Sequence, residues 1–178
     1  MKSPFLFFFL FLGFSSFSGA QQLVYPIIQG YGAVNDIPFE VEKPDPTKQY
    51  RLVVEIGERI QNKDQVGDLL DYAARMYNLH HYSGIPKENI HLAIVVYSGA
   101  TPLILSNETY QERFEQANPN AQLLEEFEKA GVEVIVCGQS MMKQDLLPAN
   151  IFPGVRMATS RFTATTDLLQ KGYQIIVL

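Results

Sequence analysis

The sequence predicts an α/β fold, a three-layer sandwich built on a mostly parallel five-stranded sheet. Five short runs rich in valine and isoleucine recur along the chain, and several lack strict polar alternation, as expected for strands that are buried on both faces. Segments with the apolar spacing of amphipathic helices fall between these runs. Strands that alternate with helices in this way predict right-handed crossovers, with helices covering the faces of the sheet.

The composition is typical of one globular domain and excludes several classes of function. Of 178 residues, 47% are hydrophobic and 19% are charged, and the net charge is −5. The lysines and arginines do not cluster, so we expect no nucleic-acid partner, because phosphate contacts need clustered cations. The chain has one cysteine, which excludes an internal disulfide and a cysteine-rich zinc site.

Residues 1–20 are predicted to be a signal peptide. Lys2 precedes ten residues, Phe5 to Phe14, that form an apolar core, and Ser18-Gly19-Ala20 supplies the small residues of a cleavage site. We therefore expect a periplasmic or secreted protein that begins near Gln21 and has no membrane attachment after cleavage. An uncleaved membrane anchor is the alternative, which the shortness of the apolar run disfavours.

Residues 21–49 are predicted to form an irregular N-terminal arm. Prolines and glycines interrupt this segment and argue against long regular elements, yet it carries several large apolar side chains. An arm this apolar must pack either on its own domain or on a neighbouring subunit.

Residues 50–178 form the predicted domain. The strands are predicted at the five apolar runs, which are Tyr50–Ile56, Ile90–Tyr97, Val132–Val136, Val155–Ala158 and Tyr173–Leu178. A first helix is predicted after Asp64, with an apolar face that continues to Tyr77. The other predicted helices begin at capping side chains, and two end at a glycine: Asn107–Glu115 after Ser106, Pro119–Gly131 after Asn118, and a helix from Ser160 to Gly172.

Cys137 is the candidate reactive residue. It follows the strand predicted at Val132–Val136, and ligands of open α/β sheets bind at the carboxyl ends of the strands. Gly138 allows close approach of the backbone, and the amides of residues 139–141 can begin a helical turn. Amides directed at the sulfur would stabilise the thiolate, the nucleophilic form. The alternative is a buried cysteine that acts only as a small hydrophobic residue.

The sequence around Cys137 resembles the central motif of the DsrE/DsrF-like family. The resemblance is strongest over residues 118–140 (NPNAQLLEEFEKAGVEVIVCGQS) and covers about Tyr50 to Leu178. Shorter matches lie at Ala74–His80, Val95–Thr101, Pro153–Val155 and Gly172–Tyr173. The resemblance implies a flavodoxin-like sheet of the DsrE type, a trimeric or hexameric homo-oligomer and, in sulfur-relay members, a cysteine that carries persulfide sulfur. Cys137 matches that cysteine.

The chain departs from the family pattern in two respects. The well-described sulfur carriers of the family are cytoplasmic, whereas this chain carries the predicted signal peptide, so the resemblance places it in an exported subgroup. Many similar sequences have His-Gly where this one has Tyr97-Ser98. Any chemical role of that histidine is lost or moved here.

The predicted pocket surrounds Cys137. The loop that contains Gly99 and Thr101 follows a neighbouring strand and can line the same crevice. His80 is included because it fits the family pattern, and the full set of predicted pocket residues is Gly138, Gln139, Ser140, Gly99, Thr101 and His80.

We expect no metal and no cofactor. His80 and His81 are adjacent on a predicted helix and point about 100° apart, so they are poorly placed to share one ion. His91 begins a strand, away from the carboxyl-end site. The loop Ser98–Thr101 lacks the length and the glycines of a P-loop or a dinucleotide fingerprint.

Two functions follow from these observations. In the first, an exported DsrE-like protein is a thiol/persulfide sulfur-relay subunit that exchanges sulfur through Cys137 with a donor or acceptor protein. In the second, the protein is a non-catalytic oligomeric module that binds a small ligand, and Cys137 only shapes the pocket. The sequence leaves open whether the protein is an enzyme.

Overall fold

The computed structural model describes residues 22–178, and the predicted signal peptide at residues 1–20 lies outside the described residues. The main sheet has five parallel strands, and a separate antiparallel pair lies in the N-terminal arm. The strands are β1 (Leu23–Val24), β2 (Val34–Asn35), β3 (Tyr50–Ile56), β4 (Ile90–Val96), β5 (Glu133–Cys137), β6 (Arg156–Ala158) and β7 (Gln174–Ile175). Their order across the main sheet is β6-β5-β4-β3-β7.

The predicted five-stranded α/β sheet is confirmed, and the largest difference is at its last strand. The sequence predicts a strand over Tyr173–Leu178, but β7 contains only Gln174 and Ile175, which pair with Leu52 and Val53 of β3. An apolar run predicts burial only where the fold covers it. Val177 lies beyond the end of β7 and is 90% exposed.

Within residues 22–178, five α-helices alternate with the strands of the main sheet or follow them. They are α1 (Asp68–Tyr82), α2 (Asn107–Phe114), α3 (Ala121–Ala130), α4 (Gly138–Met142) and α5 (Arg161–Gln170). Ser106 and Ser160 cap α2 and α5 as predicted, each accepting a hydrogen bond from the backbone amide three residues later. Gly131 ends α3 in the left-handed conformation, with a φ of 80°.

Two helices begin later than the sequence predicts. The first helix begins at Asp68, and the third begins at Ala121 instead of Pro119. Asn118 caps the turn that leads into α3, because its Oδ1 accepts a hydrogen bond from the Asn120 amide at 2.9 Å. An asparagine that accepts a backbone hydrogen bond in a turn just before a helix cannot be distinguished from a helix cap by sequence alone.

The main sheet is covered unequally on its two faces. One face packs against α1 and α3 in a large apolar core that includes the fully buried Leu70, Leu123 and Phe127. The other face is covered by α5, whose Ala164 and Leu168 pack on strand residues. The carboxyl ends of β3, β4 and β5 therefore open next to the beginning of α5.

The first half of the N-terminal arm packs on α1 of its own chain. Asn78 of α1 is fully buried, and its side chain exchanges five hydrogen bonds of 2.9–3.2 Å with the arm backbone. Gly32 adds a contact through its amide, which donates to Asp71 Oδ1 at 2.8 Å. A Cβ at Gly32 would lie 2.1 Å from the Arg75 backbone nitrogen, so this approach requires glycine.

Within residues 22–178, no helix is both long enough and apolar enough to cross a membrane. The same residues contain no group of three or more His, Cys, Asp or Glu side chains placed to hold a metal ion.

Candidate functional site

A cleft of about 870 Å³ opens at the carboxyl ends of the central strands. Gly57 follows β3 in its wall, Tyr97 follows β4, Cys137 ends β5, and Ser160 follows β6. Chain segments diverge at this edge of a parallel sheet, which is why ligands bind there in open α/β folds.

The Cys137 thiol lies in the wall of this cleft, and the residue is 5% exposed. Burial raises the pKa of the thiol. Hydrogen bonds from the Ser140 hydroxyl and from the backbone amides of Ser140, Arg161 and Gln139 outweigh that effect and lower the pKa below its ordinary value. The sulfur is therefore held in surroundings that favour the nucleophilic thiolate.

Ser140 is itself oriented by the loop that follows β4. The Ser98 amide donates a hydrogen bond of 2.8 Å to Ser140 Oγ, which leaves the hydroxyl proton available for the Cys137 sulfur. Ser98 has a φ of 49°, a left-handed conformation that is unusual for a residue with a side chain. The Ser98 carbonyl accepts hydrogen bonds from Gln144 Nε2 at 3.0 Å and from Thr101 Oγ1 at 2.9 Å, and these bonds stabilise the loop.

Two glycines allow the backbones around the site to approach closely. A Cβ at Gly138 would lie 2.8 Å from the Ala158 carbonyl oxygen, where α4 leaves β5 beside β6. A Cβ at Gly99 would lie 2.7 Å from the Arg59 Cα, so this glycine brings the loops after β3 and β4 together. The obstacles are backbone atoms, which cannot move aside as a flexible side chain can.

Arg161 joins the cleft to the face of the sheet beneath α5. Its guanidinium pairs with Glu55 of β3 at 2.9 Å and lies over the Tyr97 ring at 4.4 Å from the centroid. Thr165, one turn further along α5, donates to the same Glu55 carboxylate at 2.5 Å. These contacts fix the beginning of α5, and the first amide of that helix is among the groups that lower the pKa of the Cys137 thiol.

Three of the sequence-predicted pocket residues lie in the cleft wall with Cys137, namely Gln139, Ser140 and Gly99. Thr101 is fully buried and supports the loop from beneath, and Gly138 lies behind the wall against β6. The prediction that Thr101 and Gly138 line the pocket is therefore corrected to a supporting position.

His80 does not lie in the pocket, which corrects its predicted placement. Its Nδ1 lies 2.7 Å from the Met76 carbonyl oxygen within α1, and its ring packs edge-on against Tyr50 with the centroids 5.7 Å apart. Tyr50 begins β3, so His80 lies at the amino ends of the parallel strands, whereas Cys137 lies at their carboxyl ends. The last turn of α1 lies at this edge because the connection returns the chain to the amino end of the parallel β4.

The sequence pattern did not indicate the cationic and aromatic side chains of the cleft. The cations are Arg59, Lys63, Lys143 and Arg161, and the aromatic residues are Tyr97, Phe114 and Phe162. Arg59 and Arg161 lie just beyond the carboxyl ends of β3 and β6. Because both strands were predicted, the sequence could have indicated these two arginines as cleft residues. Phe114 and Lys143 come from helix ends, whose placement depends on tertiary packing.

Comparison with known proteins agrees with this fold. The structure resembles that of a protein of unknown function, MTH1491, from Methanobacterium thermoautotrophicum, with a TM-score of 0.55 and 15% identity. It also resembles the ychN protein from E. coli, with a TM-score of 0.53 and 15% identity. Each comparison covers 73% of this chain and 100% of the other.

Sequence comparison identifies the family. No relative is matched among curated proteins. The sequence profile of the DsrE/DsrF-like family matches residues 63–178, which include Cys137 and most of the cleft. The chain therefore belongs to the DsrE/DsrF-like family.

Proposed function

We propose that this protein is an exported sulfur-relay subunit that carries sulfane sulfur on Cys137. The observation that carries the proposal is the position of the Cys137 thiol in the cleft wall, where the Ser140 hydroxyl and nearby backbone amides lower its pKa. Family membership supports it, because the DsrE-like family is generally linked to sulfur relay. The thiolate is the form that attacks sulfane sulfur, and this environment favours it.

The transfer is an exchange between thiols with no net oxidation. The Cys137 thiolate attacks the terminal sulfur of a donor persulfide, R–S–SH, and a new sulfur–sulfur bond forms. The donor bond breaks, its electron pair leaves on R–S⁻, and the persulfide proton passes to that leaving thiolate. Once the terminal sulfur on Cys137 has taken up a proton from solvent, an acceptor thiolate attacks it and forms a new sulfur–sulfur bond. The Cys137 bond to that sulfur breaks, and its electron pair leaves on the Cys137 sulfur, which is again a thiolate.

The decisive experiment uses the fact that Cys137 is the single cysteine of the chain. After incubation with inorganic polysulfide, intact mass should show the gain of one sulfur atom in the wild-type protein and none in Cys137→Ser. An excess of a small thiol should then remove the added sulfur. A wild-type protein that gains no sulfur, although its thiol is alkylated in the folded state, would contradict the proposal.

The cleft itself favours a second candidate function, that of a non-catalytic module that binds a small ligand. A volume of about 870 Å³ is within the range of organic-ligand sites. In this case Cys137 would react with alkylating agents only on unfolding, and Cys137→Ala would retain ligand binding. The rate of alkylation of the folded protein separates the two functions.

Export is the second part of the proposal, and the sequence of residues 1–20 supports it. When the full chain is expressed in a secreting host, N-terminal mass mapping should find a protein that begins near Gln21. Ala20→Leu should block or shift the cleavage, because signal peptidase needs a small residue there. Recovery of the unprocessed wild-type chain from membranes would contradict export as a cleaved protein.

A further inference from the structure

The side chains of the cleft carry positive charge only. Among the described residues 22–178, four lysines and arginines line it and no aspartate or glutamate does. The whole chain has a net charge of −5, so this distribution is opposite to the average of the molecule. A concave site with charges of one sign concentrates the field and attracts ligands of the opposite charge.

Three of these four cations have no anionic partner within the described part of the chain. Arg161 is neutralised by Glu55, but Arg59, Lys63 and Lys143 make no salt bridge among residues 22–178. Lys63 lies over the Phe114 ring, 4.7 Å from its centroid, which keeps its ammonium group at the cleft. The cleft that contains Cys137 therefore presents three positive charges without an ion-pair partner among the described residues.

The size and the remaining walls of the cleft indicate an organic ligand. A volume of about 870 Å³ is near the upper end of the range for small-molecule sites, and an inorganic anion would fill little of it. Three aromatic side chains, Tyr97, Phe114 and Phe162, contribute apolar surface between the charges. The cleft thus combines apolar contact area with separated cationic groups.

We infer that the sulfur donor is a small organic persulfide that carries carboxylate groups, an inference that rests on the proposed function. Arg59, Lys63 and Lys143 bind the carboxylates at the rim while the persulfide reaches Cys137. The thiolate of Cys137 then takes the terminal sulfur as described above. The donor leaves as its carboxylate-bearing thiol, so electrons and protons remain balanced.

The test compares donors that differ in charge and size. The donors are glutathione persulfide, which has two carboxylates, its diethyl ester, and thiosulfate. Rapid-quench intact mass measures the rate of first sulfur uptake by the full mature protein at increasing donor concentration. The variant combines Arg59→Gln, Lys63→Gln and Lys143→Gln, and its matched control combines Lys43→Gln, Lys48→Gln and Lys87→Gln, three exposed lysines outside the cleft.

We expect the wild type to half-saturate at about tenfold lower concentration of glutathione persulfide than of the ester. The cleft variant should lose this preference, since the three cations that bind the donor carboxylates are then neutral. The control variant should keep the preference. Added salt should weaken it in the wild type.

Two outcomes would overturn the inference. One is half-saturation of the wild type at the same concentration of the ester and of glutathione persulfide. The other is half-saturation at a lower concentration of thiosulfate than of glutathione persulfide. Calorimetry with S-methylglutathione, which cannot donate sulfur, separates this inference from the proposed function. Binding that the cleft variant weakens about tenfold supports the anionic ligand even if no donor delivers sulfur, whereas no binding to the wild type overturns it.

Discussion

Ser140 links the two loops that hold the reactive sulfur. Its oxygen accepts a hydrogen bond from the Ser98 amide at 2.8 Å, and its hydroxyl group lowers the pKa of the Cys137 thiol. A hydrogen bond from a neutral donor to a charged acceptor stabilises the charged form more than the neutral one. Ser140 therefore tunes the thiol without taking part in covalent chemistry.

Ser140→Ala should raise the pKa of the Cys137 thiol toward its ordinary value. We expect the alkylation rate of the folded protein at about pH 6 to fall by about tenfold, because one charge-assisted hydrogen bond contributes about 1.5 kcal/mol. The measurement is the pH dependence of iodoacetamide labelling. Ser106→Ala serves as the control, since Ser106 is also buried but caps α2, outside the cleft wall. An unchanged labelling profile would exclude this role of the Ser140 hydroxyl.

The lowered pKa of Cys137 also couples folding to pH. The pKa of the thiol is lower in the folded protein than in the unfolded chain, where it is about 8.5, so the folded state binds fewer protons between the two values. The thiolate contributes stability that is complete above the unfolded pKa and is lost as pH falls through the folded pKa.

Urea denaturation under reducing conditions tests this coupling. The difference in free energy of unfolding between the wild type and Cys137→Ser should shrink as pH decreases from about 9 to about 6. Cys137→Ser lacks the titrating thiol and supplies the baseline for all other groups. A difference that is constant across this range would show that folding leaves the thiol pKa unchanged.

At the scale of the element, the arm depends on one buried amide. Asn78→Ala removes the five hydrogen bonds that hold the backbone of residues 27–32 on α1. We expect the free energy of unfolding to fall by about 2–4 kcal/mol, because arm groups lose their partners and a cavity remains in the core. Urea denaturation measures this loss.

The control for this variant is Asn35→Ala, which changes an exposed asparagine of β2. It should shift the free energy of unfolding by less than about 0.5 kcal/mol. Equal effects of the two substitutions would show that the contacts of Asn78 do not hold the arm. Faster proteolysis within residues 22–35 of Asn78→Ala would locate the loss in the arm.

The elements themselves were largely predictable, whereas the composition of the cleft was not. Val/Ile runs identified β3 and β4 within one residue, because burial on both faces of a parallel sheet leaves a local signature. Cys137 and Ser140 were found because they follow a predicted strand directly. Lys63 and Phe114 were missed, since their contact joins a loop after β3 to the end of α2 and depends on tertiary packing.

At the scale of the whole molecule, one face of the sheet is covered by α1 and α3 and the other by α5 alone. The arm, whose apolar residues suggested a partner, packs in its first half on α1 through the fully buried Ile28. The arm still exposes Leu23 and Phe39, and further apolar exposure is found on α5 and at the chain end after β6. There Phe162 is 65% exposed and Val177 is 90% exposed, with Leu169 and Ile175 also exposed. Such a surface is typical of an interaction site.

We therefore predict that the α5 side contacts a second copy, in the homotrimer or hexamer that the family resemblance implies. Light scattering of the mature protein at micromolar concentration should give a mass of three or six chains. Phe162→Asp should shift the protein toward the monomer, because burial of a charge at an apolar contact is unfavourable. Phe39→Asp is the matched control, since Phe39 is 69% exposed on the arm and should leave the mass unchanged. A wild-type mass near one chain would contradict the assembly, and dissociation by Phe39→Asp alone would move the contact to the arm.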